Sequence, residues 1–209
     1  MSDSRIFWRN TTHDWAASVD ADHLARIRSE LAEFAPGGVT HLILEVIAYA
    51  ADEAQSMGAG RCDVTLHADS SASVADNGRG TDTRFDDHGQ VVKKPVMATS
   101  DLRFFDQPDA QRLPDGHPRR GMSVVAALSD WLLHTNRRTN GSWTQRYERG
   151  VPVTDLIAIP DDMTTGTIVR FHPDPAIRCA DQVSGVEIAR LCRGAWPHLT
   201  VEIRDDRNA

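Results

Sequence analysis

No apolar run in this chain approaches the roughly 18 residues that a membrane-spanning helix requires. The first residues, Met1-Ser2-Asp3-Ser4-Arg5, lack the apolar core of a signal peptide. No membrane partner is expected. Cysteine is scarce: Cys62, Cys179 and Cys192 are odd in number and far apart. That argues against a disulfide framework and fits a reducing cytoplasm, with ordinary packing roles for the thiols. No Cys or His pair has zinc-ligand spacing, so no metal site is expected. Basic residues are also outnumbered, 23 against 30 acidic ones, for a net charge of -7. A broad basic face for direct nucleic-acid binding is thereby excluded. Repeats and low-complexity tracts are absent. What remains, 209 residues at 40% hydrophobic and 25% charged, is the composition of one ordinary globular domain with a single core.

Residues 1 to 18 carry Trp8 and Trp15 without periodicity and read as an arm docked on the domain or on a partner. From Asp20, Leu24, Ile27, Leu31 and Phe34 recur every three to four residues and predict a short amphipathic helix. Pro36-Gly37-Gly38 stops it, and Thr40 is the expected N-cap of the next helix. That helix, about residues 41 to 57, is the most apolar in the chain and is expected to be buried. Glu45, Tyr49 and Glu53 interrupt it at successive i, i+4 positions and share one face. Such a stripe faces something polar: a ligand, or solvent with structural ion pairs.

Asp63–His67 and Ala72–Asp76 read as a hairpin about the turn Asp69-Ser70-Ser71. Asn77-Gly78-Arg79-Gly80 follows at once. Two glycines after a strand allow close backbone approach to a ligand, and Asp76 at the strand end can accept a hydrogen bond. Residues 81 to 121 are the least regular stretch, functional or mobile by length, with a short helix expected between Val92 and Phe105. Gly116-His117-Pro118-Arg119-Arg120-Gly121 then precedes a helix start at Met122. A glycine loop before a helix is a natural phosphate seat, although Pro118 removes one amide donor. Strands follow at Trp131–Thr135, Ser142–Tyr147 and Thr167–Phe171, with an Asn140-Gly141 turn and an edge strand or turn at Gly150–Val153. A helix about Val186–Leu191 and a last strand, Leu199–Arg204, complete the pattern. The fold class predicted is α+β, a two-layer sandwich of a mixed sheet with helices on one face.

Six of these pieces, in this order, resemble the ATPase domain of the DNA gyrase B protein, within the GHKL superfamily and its Bergerat nucleotide-binding fold. They are His41–Val46, Asp52–Ala54, Ser73–Gly80, Ser123–Ser129, Tyr147–Pro152 and Thr165–Phe171. The resemblance covers about residues 38 to 204. It divides the chain into an arm and short helix, 1 to 37, and a nucleotide-binding domain, 38 to 209. It implies that Asp76 accepts from the adenine exocyclic amine, with a water shared by Thr167. It implies a Glu53–Arg79 salt bridge under the base, and inhibitor contacts from Arg79 or Arg138 at the pocket mouth. Val46, Ala50, Val74 and Val169 would line the pocket, with Tyr49, Gly78, Gly80 and Gly121 also at nucleotide-contacting positions. Glu45 matches the general base that polarises the attacking water.

The departures cluster where the triphosphate would sit. The family's Glu-x-x-Asp-Asn reads Glu45-x-x-Ala48-Tyr49, so tyrosine stands at the magnesium ligand. The glycine-rich lid keeps only Gly116 and Gly121, with Arg119 and Arg120 offering charge to phosphates instead. Thr81-Asp82 replaces Ile-Pro, and a second, transducer domain is not expected in the chain. The resemblance thus implies a stand-alone domain that binds ATP or ADP, or a gyrase-B-type inhibitor, with magnesium in doubt and hydrolysis weak or lost. Two alternatives stay open. One is a slow ATPase or other ATP-using enzyme with Glu45 as base. The other is a protein-interaction decoy or regulator of gyrase, or a resistance protein that binds gyrase inhibitors.

Overall fold

The computed structural model describes residues 19–82, 84–85, 91–92, 97–105, 107–178 and 183–207. The arm with Trp8 and Trp15, and Cys179, lie outside them. The apolar repeat from Leu24 to Phe34 forms two helices rather than the single one expected, α1 (Ala21–Ser29) and α2 (Leu31–Phe34). Asp20 caps α1 by accepting from the His23 amide at 3.0 Å. At Glu30 the backbone leaves helical geometry (φ -118°, ψ 47°), and the Ser29 hydroxyl competes for the Arg26 carbonyl. The break leaves Leu24, Ile27 and Phe34 buried in one core.

The long helix, α3 (Gly38–Met57), starts a turn earlier than expected. Thr40 lies inside it rather than capping it. Gly37 holds the cap without a side-chain bond, and its carbonyl accepts from the His41 amide at 3.2 Å. The hairpin β1 (Gly60–Leu66) and β2 (Ala72–Asp76) follows, then a small separate pair, β3 (Arg84–Phe85) and β4 (Val91–Val92). Of the short helix expected between Val92 and Phe105, residues 93–96 lie outside the described residues, and Met97 beside them is in 3-10 helical conformation. There the amides of Phe104 and Phe105 close a single turn on the Asp101 carbonyl. The rest of the chain is α4 (Met122–Ala127), β5 (Ser129–Arg137), β6 (Trp143–Glu148), β7 (Val151–Pro152), β8 (Ile157–Ala158), β9 (Gly166–Pro173), α5 (Pro175–Arg178), α6 (Gly185–Cys192) and β10 (Leu199–Asp205).

Eight strands form one open mixed sheet in the order β10-β1-β2-β9-β5-β6-β7, with β8 also on β6. β10 runs parallel to β1, and the other pairs are antiparallel. Register aligns Leu66, Ala72, Phe171 and Leu132 across four strands, and beside them Val64, Val74, Val169 and His134. These residues are buried under the helices, whereas Leu133, Thr135 and Arg170 on the opposite face are only partly covered. This is the α+β architecture with helices on one face. Phe171 and Leu132 are fully buried, and such burial stabilises by roughly 1.5–3 kcal/mol per side chain. Cys62 and Cys192 are free and buried, as packing residues are; burial pushes the Cys192 thiol up to about 11. No helix of the described residues is long and apolar enough to cross a membrane.

Candidate functional site

Where α3 crosses β2, β9 and β5 it leaves a cavity of about 170 Å³. Val46, Ala50, Val74, Met97, Met122 and Val169 give it apolar walls. Polar groups enter from Asp76, Thr167, Thr81 and His134, and Tyr49, Glu53 and Gly80 complete the lining. Asp76 is the last residue of β2, and its carboxylate accepts from the Gly78 amide at 2.8 Å. Burial raises its pKa above the usual carboxylate value, against the lowering effect of donors from Gly78 and Thr167.

Gly78 is fixed by proximity, since a Cβ there would fall 2.6 Å from Glu53 Cγ and 2.9 Å from Asp76 Oδ1. The close approach lets the following residue, Arg79, clasp Glu53. Its Nε and Nη2 donate at 2.6 and 2.9 Å and its amide at 3.0 Å, and the side-chain bond chiefly holds the Glu53 pKa down. Arg138 does not line the cavity. Its Nη1 donates to the Gly80 carbonyl at 2.8 Å, at the same turn. Buried Asn136 pins that turn from inside, accepting from the Thr81 amide and donating to the Thr81 carbonyl at 3.0 Å.

Beyond Tyr49 the site is filled by protein. Glu45 is fully buried and accepts from the amides of Arg120 and Gly121, the latter at 2.9 Å. Burial raises its pKa, opposed by His41, these amides and Arg119. His41 Nε2 lies 3.6 Å from Glu45, and its Nδ1 is 2.6 Å from Asp115 Oδ2. Asp115 is set in a turn by accepting from the His117 amide at 3.0 Å. The Tyr49 hydroxyl donates to Asp101 at 2.8 Å, and Arg103 holds the same carboxylate through two donors at 3.0 and 2.8 Å. Burial would raise the Asp101 pKa, but the Arg103 and Tyr49 bonds outweigh it and hold it low. Burial keeps Tyr49 protonated, and nearby Asp101 adds to this.

Arg119 completes the fill. It is fully buried, with its guanidinium 4.5 Å from the Tyr49 ring centroid and 4.1 Å from that of Phe104. It donates to Asp52 at 3.1 and 2.8 Å and to Gln111 at 3.1 Å. Nε of Arg119 and of Arg120 is buried without a partner. Gly121, at φ +101°, leaves no slack: a Cβ there would sit 3.0 Å from Asp101 Cβ and 3.1 Å from the Tyr49 hydroxyl.

The structure thus brings Val46, Tyr49, Ala50, Glu53, Asp76, Gly80 and Thr167 to one cavity, with Gly78 and Arg79 on its rim. Glu45 and Gly121 are set apart behind Tyr49, joined to each other. Sequence reasoning gave no role to His41, Asp101, Arg103, Asp115, His134 or Asn136. His134 and Asn136 were discoverable as polar residues on the buried alternation of β5. Asp101 and Asp115 carry no local signal.

No protein-family model matches the chain. Individual proteins do. The DNA gyrase B protein of Thermotoga maritima is 40% identical over 144 residues, 67% of this chain and 22% of that protein. The chloroplastic/mitochondrial gyrase B protein of Nicotiana benthamiana is 38% identical over 152 residues, 68% of this chain and 20% of its own length. The B protein of DNA topoisomerase 4 from Bacillus subtilis is 31% identical over 175 residues, 82% of this chain and 27% of its own. The chain resembles the N-terminal ATPase domain of the DNA gyrase B protein. It spans about a quarter or less of the length of these relatives.

Against that gyrase-B pattern the two sides of the site differ chemically. The side toward Asp76 keeps an apolar slot with a half-buried acceptor, which suits a flat heterocycle carrying an amine. The side toward Glu45 carries different groups. Tyr49 there directs a proton donor at Asp101 instead of offering an amide oxygen, and the lid amides are taken by Glu45. Among the described residues no cluster of three His, Cys, Asp or Glu side chains is arranged to hold a metal ion.

Proposed function

We propose that this gyrase-B-like domain binds an adenine-type ligand, ATP or ADP or a gyrase-B-type inhibitor, in the slot between α3 and Asp76, and hydrolyses ATP weakly or not at all. The observation that carries the reading is the 170 Å³ apolar cavity with the Asp76 carboxylate at its polar end. Adenine presents a donor beside a ring acceptor, and Asp76 with Thr167 offers the complementary set. The volume is below the roughly 300–1,000 Å³ of sites that enclose a drug-sized ligand, and agrees with a single ring system. Loss of hydrolysis follows from Glu45: a general base must reach the attacking water, and both its oxygens accept from lid amides.

Calorimetry with ATP, ADP, adenosine and an aminocoumarin tests the binding reading. A saturable signal that disappears in Asp76→Ala is expected, and no affinity for any of the four defeats it. Steady phosphate release from Mg-ATP that disappears in Glu45→Ala would instead establish the slow-ATPase alternative.

A second reading draws on Tyr49, whose hydroxyl donates to Asp101 and packs against Gly121, at the position where the resemblance implies a magnesium ligand. That suits a cytoplasmic regulator or decoy acting by contact with gyrase. Co-purification of the tagged chain with the gyrase proteins, unaffected by Asp76→Ala, separates it from the first reading.

A further inference from the structure

Beside the cavity stands a compact cluster with no counterpart in the expected site: Tyr49, Asp52, Asp101, Arg103, Phe104 and Arg119. Its charges are balanced two against two. Arg119 pairs bidentately with Asp52, Arg103 pairs bidentately with Asp101, and Arg103 also approaches Asp52 at 3.7 Å. The Arg119 guanidinium lies between the rings of Tyr49 and Phe104, and the Arg103 guanidinium is 4.6 Å from the Phe104 centroid. Aromatic contact and carboxylate pairing together are how a planar guanidinium is held when buried. Tyr49 joins the cluster to the cavity, because its ring is in the wall and its hydroxyl is on Asp101.

We infer that this cluster is a built-in plug over the phosphate side of the site, and that the slot selects the base or nucleoside form of its ligand over the triphosphate. The inference rests on the adenine-type reading above and narrows it. Three observations support it. A Cβ built on Gly121 would already crowd the Tyr49 hydroxyl at 3.1 Å, so the gap between them does not take even a methyl group comfortably and a phosphate chain passes only if the plug comes apart. The lid amides of Arg120 and Gly121, the natural phosphate donors, are held by the buried Glu45 carboxylate. Of the two acidic residues that line the cavity, Glu53 is neutralised by Arg79, which leaves the Asp76 carboxylate facing an entering ligand as an acceptor rather than a phosphate donor. Admitting a triphosphate would separate Arg119 from Asp52 and Tyr49 from Asp101, leaving the fully buried Arg119 without its carboxylate partner and the buried Asp101 short of one donor. A base or nucleoside asks none of this.

The test is a phosphate ladder. Adenosine, AMP, ADP and ATP are titrated calorimetrically into the full chain without magnesium. The plug predicts that affinity falls along the series, with ATP weaker than adenosine by about tenfold or more, equivalent to 1.4 kcal/mol. ATP as tight as adenosine, or tighter, overturns the plug while leaving the base slot standing; Arg119 and Arg120 would then serve phosphate through their unpartnered Nε atoms. Absence of binding by every member removes both readings. The Tyr49→Asn chain, which loses the anchoring hydroxyl, is expected to narrow the gap between adenosine and ATP. An unchanged gap in that chain shows that the plug is not what discriminates.

Discussion

The Tyr49 hydroxyl donates to Asp101 Oδ2 at 2.8 Å, joining the middle of the long helix to a turn fifty-two positions away. This bond turns the position expected to serve magnesium into a structural anchor. It accounts for why the side of the site toward Glu45 is closed while the side toward Asp76 is open.

Removing the anchor is expected to cost stability. Tyr49→Phe keeps the ring on Arg119 but leaves Asp101, whose side chain is 1% exposed, without one of its donors. A loss of about 1–3 kcal/mol follows, read as a lower urea midpoint at unchanged slope. An unchanged midpoint would show that the remaining donors satisfy the carboxylate.

Glu45 is expected to behave as a structural carboxylate. Glu45→Ala leaves the buried Gly121 amide without an acceptor and opens a void, so destabilisation of about 2 kcal/mol or more is predicted. A working base carried at the expense of stability would give the opposite sign, a variant as stable as the parent or more so. Thermal unfolding distinguishes the two.

Gly121→Ala tests how tightly the lid is shut. At φ +101° an alanine is strained, and its Cβ meets Asp101 and Tyr49. A penalty of about 1–3 kcal/mol is expected. A mild effect, comparable to an ordinary surface glycine, would mean that the lid shifts freely.

Acid should weaken the Asp115–His41 contact. Burial raises the Asp115 pKa, but bonding and attraction to His41 and His117 outweigh it and leave it below the usual value. A depressed folded pKa gives stability that is present above the unfolded value, about 3.9, and lost as pH falls through the folded one. Asp115→Asn should therefore flatten the acid limb of the stability profile relative to the parent. Parallel profiles would remove Asp115 from this role.

Much of the architecture was legible because it is written in local pattern. Strand runs such as Trp131–Thr135, and the apolar surface of α3, gave the element types. The two misread boundaries have local causes that propensity does not weigh: the break at Glu30 and the early start at Gly37. In the site, the family resemblance named Glu53, Arg79 and Asp76, and the Glu53–Arg79 pair it implies is present. The plug was not legible. Asp101 to Tyr49, Arg119 to Asp52 and Asp115 to His41 span 52, 67 and 74 positions. Their meeting depends on how an irregular segment packs, and no periodicity records that.

Recognition on the Asp76 side should owe nothing to magnesium. Titrating ATP into the wild-type chain with and without magnesium decides this. The same weak affinity is expected in both conditions. A tightening of about tenfold or more on adding magnesium, 1.4 kcal/mol, would show instead that the Glu45 side holds a metal-bound triphosphate.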